Sequence, residues 1–208
     1  DGTLMNRDNL LITTSSQQGL DLVAKIFINP GDTVICGLPS YLGGISAFRS
    51  YGAKLEGIEL DAQGMRSDLL EQKLEALQKI GVKPKFIYII PDFQNPAGIT
   101  MPVARRKEIL ELAYRYDVLI VEDSPYRELR FDGEAQDMIY KIDTTGHVIA
   151  LGTFSKILAP GFRTGWAIGH PEIIDKLVVA KQATDLCTPA ILQLIIARYM
   201  EEGLLHKN

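Results

Sequence analysis

The chain has 208 residues, 46% of them hydrophobic and 23% charged, with a net charge of −4. That composition suits one globular domain with a substantial core, and the acid excess with scattered bases argues against a nucleic-acid surface. No apolar run is long enough to span a bilayer, and Cys36, Cys187, His147, His170 and His206 have neither disulfide-framework nor metal-ligand spacing, so a cytoplasmic chain without metal is expected.

In chain order, short apolar runs alternate with segments of helical period. The pattern predicts strands over Leu10–Thr13, Thr33–Cys36, Lys54–Glu59, Lys85–Ile90, Val118–Glu122, Val148–Gly152 and Gly165–Gly169. Helices are predicted over Gln17–Ile28, Tyr41–Tyr51, Ser67–Lys79, Pro102–Tyr116, Pro171–Thr184 and Pro189–Glu202. Pro102 and Pro171 suit a first helical turn, and Gly81 and Gly203 suit helix ends. The run Phe86-Ile87-Tyr88-Ile89-Ile90 is continuously apolar, as a strand buried on both faces requires. Arg105-Arg106-Lys107 reads as a solvated helix start, and the two cysteines as small core or wall residues. The alternation gives a doubly wound, largely parallel α/β sheet, and with no repeat and no linker one domain is expected over residues 1–208.

Ligands of such sheets sit outside the carboxyl ends of the strands. Polar residues gather at those ends. Ser15-Ser16-Gln17 follows the first strand, Tyr41 the second, Asn95 the Phe86 strand, Asp123 and Tyr126 the Val118 strand, and Thr153 to Lys156 the Val148 strand. Thr14-Ser15-Ser16-Gln17 opens a helix, whose unpaired N–H groups and positive dipole end form an anion cradle. Thr153, Ser155 and Arg163 add hydroxyl and guanidinium donors suited to a phosphate. Lys156, aimed by a rigid strand end, is placed to form an imine with an aldehyde. Asp123 ends a strongly apolar strand, so it is buried and in need of a cation, while Glu122 points to the opposite face. Asn95 and Tyr126 can each donate a hydrogen bond to a ring oxygen, and Tyr41 offers a flat face for stacking. Each residue also has a plainer reading: a solvated lysine, a helix cap at Ser15 or Ser16, a turn at Asp123 before Pro125, simple packing at Tyr41.

Taken together, Asn95-Pro96-Ala97-Gly98, Asp123-Ser124-Pro125-Tyr126 and Ser155-Lys156 with Arg163 downstream resemble fold-type I pyridoxal-phosphate (PLP) enzymes, most similarly class I/II aminotransferases. The strings from Gly152 to Gly161 and from Glu128 to Gly133 resemble the branch holding 2-aminoadipate and kynurenine aminotransferases and the aminotransferase-like domains of MocR regulators. The resemblance implies a three-layer αβα sandwich on a mostly parallel seven-stranded sheet. It implies PLP held by Ser16, Gln17, Tyr41, Asn95, Asp123, Tyr126, Thr153, Ser155, Lys156 and Arg163. Lys156, Asp123 and Tyr126 would carry the catalysis, and amino groups would pass between an amino acid and a 2-oxo acid by a ping-pong aldimine/ketimine route. The amino acid would be of the 2-aminoadipate, aromatic or branched-chain type, and the enzyme a homodimer. The alternative it implies is the effector domain of a MocR-type regulator. Family members run to about twice this length, so the chain is expected to be the PLP-binding large domain without its small domain or true termini. It departs from the family at Ala97 (usually Thr), Ser15 (commonly Gly) and Ser124 (frequently Asp).

Overall fold

A computed structural model describes residues 6–205, so His206 lies outside the described residues. The seven expected strands are β1 (Leu10–Thr13), β2 (Thr33–Leu38), β3 (Lys54–Asp61), β5 (Phe86–Ile89), β6 (Leu119–Asp123), β7 (Val148–Thr153) and β8 (Gly165–Ile168). An eighth, β4 (Gly64–Met65), pairs antiparallel with the end of β3; two residues are too few to show any alternation. All join one sheet in the order β1-β8-β7-β6-β5-β2-β3-β4. The pairs β2–β3, β2–β5, β5–β6 and β6–β7 are parallel, whereas β8 runs antiparallel to both β1 and β7. It follows that β1 points the same way as β7, and its carboxyl end arrives at the same edge of the sheet.

The helices are α1 (Ser15–Phe27), α2 (Leu42–Ser50), α3 (Ser67–Lys79), α4 (Val103–Tyr116), α5 (Ile139–Ile142), α6 (Pro171–Asp185) and α7 (Ala190–Glu201). The four-residue α5 was not foreseen, being shorter than one amphipathic period resolves. Side-chain alternation along β5 divides the core into two layers. Phe86, Tyr88 and Ile90 face a layer with Leu20 and Val23 of α1, Phe48 of α2 and Leu177 of α6. Ile87 and Ile89 face the opposite layer, with Leu70 and Leu74 of α3, Ile109 and Ala113 of α4, and Ile139. The rings of Phe86 and Tyr88 each meet Phe48 edge-on at 5.1 Å between centroids. Burying each large side chain on both faces contributes about 1.5–3 kcal/mol, so this strand and its neighbours form a stiff platform for the loops at its carboxyl edge.

Two surface expectations are corrected. Arg106 is not solvated but wholly buried, because it donates to the Met101, Asp137 and Pro91 carbonyls and pairs with Asp92 at 2.9 Å. Cys36 is a core residue as expected, but Cys187 is exposed, in the turn that links α6, which ends at Asp185, to α7.

Candidate active site

Gly165 opens β8 and lies at the carboxyl edge, between the ends of β1 and β7. It is the register partner of Thr13 at the end of β1 and of Thr153 at the end of β7. A Cβ at this position would stand 2.6 Å from the Gly152 carbonyl oxygen and 2.7 Å from the Ser15 backbone, so only glycine lets the start of α1 close on the end of β7. That approach brings two distant segments to one place: the opening turn of α1 and the turn carrying Thr153, Ser155 and Lys156.

The opening turn of α1 has no side-chain cap. Neither Ser15 nor Ser16 therefore acts as the cap that the plainer reading offered. Instead Ser15 begins the helix with φ +65°, a left-handed conformation costing a residue with a Cβ about 1–2 kcal/mol. Gln18 turns its side chain back to accept from the Thr14 N–H at 2.7 Å. Behind it, the buried Lys181 of α6 donates to Gln18 Oε1 and pairs with Asp185, tying this turn to the end of α6.

Arg163 approaches from the other side. Its Nη2 donates to Ser15 Oγ at 2.6 Å. The Ser155 N–H donates to Thr153 Oγ1 at 3.1 Å, and the Thr153 and Ser155 hydroxyls lie 3.0 Å apart. A helix N-terminus, several hydroxyls and one guanidinium thus form a cationic, donor-rich corner. Lys156 follows immediately, exposed at the rim of the cleft.

The opposite wall is built from β2, β5 and β6. Tyr41 lies across Gly43, where a Cβ would stand 2.4 Å from the phenol oxygen. Its hydroxyl donates to Gln17 Oε1 at 3.2 Å, and Gln17 Nε2 donates to the Gly43 carbonyl at 3.0 Å. Burial, with Asp123 and Tyr126 nearby, pushes the Tyr41 phenol above its ordinary value. Asn95 Nδ2 donates to Tyr126 Oη at 3.3 Å, so the two groups converge.

Asp123 forms the floor. It is 2% exposed, and burial lifts its carboxyl to about 7, against a lesser opposing effect of the Tyr88 hydroxyl, which donates to Oδ2 at 2.9 Å. Its second oxygen, Oδ1, is buried without a hydrogen-bond partner. Sequence reasoning missed Tyr88, which reads as one more apolar strand residue; the available signal was that a buried phenol needs a partner. It also missed Ser15 as a contact of Arg163.

Ser16, Gln17, Tyr41, Asn95, Asp123, Tyr126, Thr153, Ser155, Lys156 and Arg163 all line one cleft of about 280 Å³, together with Ser15, Ile90 and Pro125. These residues fit a phosphorylated pyridine aldehyde. The unpaired Oδ1 of a buried carboxylate suits a ring N–H⁺, the donor-rich corner suits a phosphate, and a lysine lines the same cleft.

Comparison with known proteins points the same way. Residues 2–208 match the family described as aminotransferase class I and II. Aromatic-amino-acid aminotransferase 1 of Thermococcus litoralis is 51% identical over 98% of this chain and 49% of its own length. The 2-aminoadipate transaminase of Thermus thermophilus is 42% identical over 94% of this chain and 49% of its own. The crystal structure of Pyrococcus horikoshii kynurenine aminotransferase, in complex with PMP, superposes with a TM-score of 0.95 at 50% identity, covering 98% of this chain and 50% of that one. The chain thus spans about half the length of the relatives it matches, and the same strand-end residues that converge on the cleft lie within the matched span. The chain belongs to the class I and II aminotransferase family.

Proposed function

We propose that residues 1–208 form the PLP-binding large domain of an aminotransferase that moves amino groups between an amino acid and a 2-oxo acid. Bound PLP supplies the electron sink that stabilises negative charge on the substrate Cα. The side chains supply the rest. Lys156 Nζ would hold the aldehyde and move the proton at the substrate Cα. Asp123, through Oδ1, would keep the ring nitrogen protonated. Asn95 and Tyr126 would donate to the ring oxygen, and Tyr41 would offer the ring an apolar surface. Ser16, Gln17, Thr153, Ser155 and Arg163 would hold the phosphate. The observation that carries this reading is the buried, unpaired Asp123 Oδ1 in the same cleft as Lys156.

Aromatic, 2-aminoadipate and kynurenine-type substrates are favoured by the named activities of relatives that match nearly all of this chain. A homodimer is favoured by exposed apolar side chains beside the cleft, Leu38 and Leu42, and along α7, Ile191 and Leu194.

The test is the absorption spectrum of the intact protein with PLP, followed by an amino acid panel of phenylalanine, 2-aminoadipate, glutamate and leucine. Conversion of the visible band to that of the aminated cofactor, reversed by 2-oxoglutarate, is expected, and Lys156→Ala should lack the starting band. A band that never converts would favour the regulator reading. No band at all would sink the role of Lys156.

A further inference from the structure

Ser15 is a serine in a backbone conformation that favours glycine. Its φ is +65°, it is 3% exposed, and it lines the cleft. A side chain kept there works against the local backbone preference, because a Cβ crowds the following carbonyl. The hydroxyl is engaged. Arg163 Nη2 donates to Ser15 Oγ at 2.6 Å, a charge-assisted contact, and the backbone beneath is fixed by the Thr13 hydroxyl, which donates to the Ser15 carbonyl at 2.9 Å.

A serine hydroxyl that accepts from a guanidinium retains its own proton for donation. Here that hydroxyl belongs to the first turn of α1 and meets Arg163, at the corner where an anion would be held. We propose that Ser15 is a ligand residue for the cofactor phosphate: it aims the Arg163 guanidinium and donates its own O–H to a phosphate oxygen. This rests on the PLP reading of the cleft. It adds a side-chain donor at a position where glycine would offer only its backbone.

The experiment compares Ser15→Gly and Ser15→Ala with wild type in the intact protein. PLP and pyridoxal, the same aldehyde without the phosphate, are titrated by absorbance, and the cofactor-free proteins are melted. Losing one charge-assisted donor should weaken PLP binding about tenfold or more in both variants and leave pyridoxal binding unchanged. Cofactor-free Ser15→Gly should melt no lower than wild type, because glycine relieves the left-handed φ. Wild-type PLP affinity in either variant would overturn the proposal, as would equal weakening for PLP and pyridoxal, which would mark a general distortion. A wild type that binds no PLP would refute the cofactor reading itself, and this proposal with it.

Discussion

Asp123→Asn should stabilise the cofactor-free protein while removing its affinity for PLP. Burial lifts the Asp123 carboxyl from its ordinary 3.8 to about 7, so between those values the folded protein binds a proton that the unfolded chain has released. Stability therefore falls as pH rises through this window and levels off above it. At about 1.4 kcal/mol per pH unit, the full window caps the loss at about 4 kcal/mol. Asparagine does not ionise, and its Oδ1 can still accept from the Tyr88 hydroxyl, so the variant escapes this loss. Glu122, also lifted to about 7 by burial, titrates in the same range and is untouched by the substitution, so some pH dependence will remain. Urea unfolding of cofactor-free wild type and variant at pH 5 and pH 8 measures the difference. The stability gain of the variant should be larger at pH 8, and saturating PLP should stabilise wild type but not the variant. Equal gains at both pH values would refute the argument that Asp123 is ionised at a cost in the folded protein.

Two further perturbations test the frame around the cleft. Arg106→Met leaves the buried Asp92 to Arg130 at 3.3 Å and strips donors from the Met101 and Asp137 carbonyls; breaking such a buried pair costs about 3–5 kcal/mol. Because Pro91 and Met101 bracket the loop that carries Asn95, PLP affinity should fall as well, and a loss below about 1 kcal/mol by urea unfolding would show that Arg106 braces nothing. Gly165→Ala places a Cβ against backbone on two sides and should cost at least about 1–3 kcal/mol of overpacking strain, with PLP binding lost because the start of α1 is pushed from β7. Gly161→Ala, with nothing within 4 Å, is the matched control and should change neither melting temperature nor binding.

Much of the arrangement was legible in the sequence because it is local. The apolar run from Phe86 to Ile90 announces a strand buried on both faces, and both faces are buried. Polar residues just past strand ends converge for the same reason: parallel strands share a carboxyl edge, so one rule places Tyr41, Asn95, Tyr126 and Ser155 together without knowledge of any contact. What stayed hidden depends on pairing across the sheet or on backbone angles. Arg106 reads as one of three basic residues at a helix start, and only the fold turns it inward onto Asp92. Tyr88 meets Asp123 because β5 and β6 are neighbours, which no spacing reveals. The φ of Ser15 follows from the closure of α1 onto Gly165, a contact 150 residues away in sequence.

Glu122 and Asp123 show how far burial alone can be taken as a sign of function. They are adjacent, both fully enclosed, and both lifted to about 7 by desolvation. On the α4 face, Glu122 accepts from the Ile139 and Tyr140 N–H groups with its two oxygens, and Arg106 stands 4.0 Å away. It is a finished structural joint that anchors α5 to the sheet. Asp123, which lines the cleft, has one oxygen satisfied by Tyr88 and one without a partner. A raised carboxyl is common to both, so it discriminates nothing. The place of the unpaired acceptor does: Asp92 Oδ2 is also buried without a partner, but of the two carboxylates Asp123 alone lines the cleft, where a ring N–H⁺ would remove the cost of an unsatisfied buried oxygen.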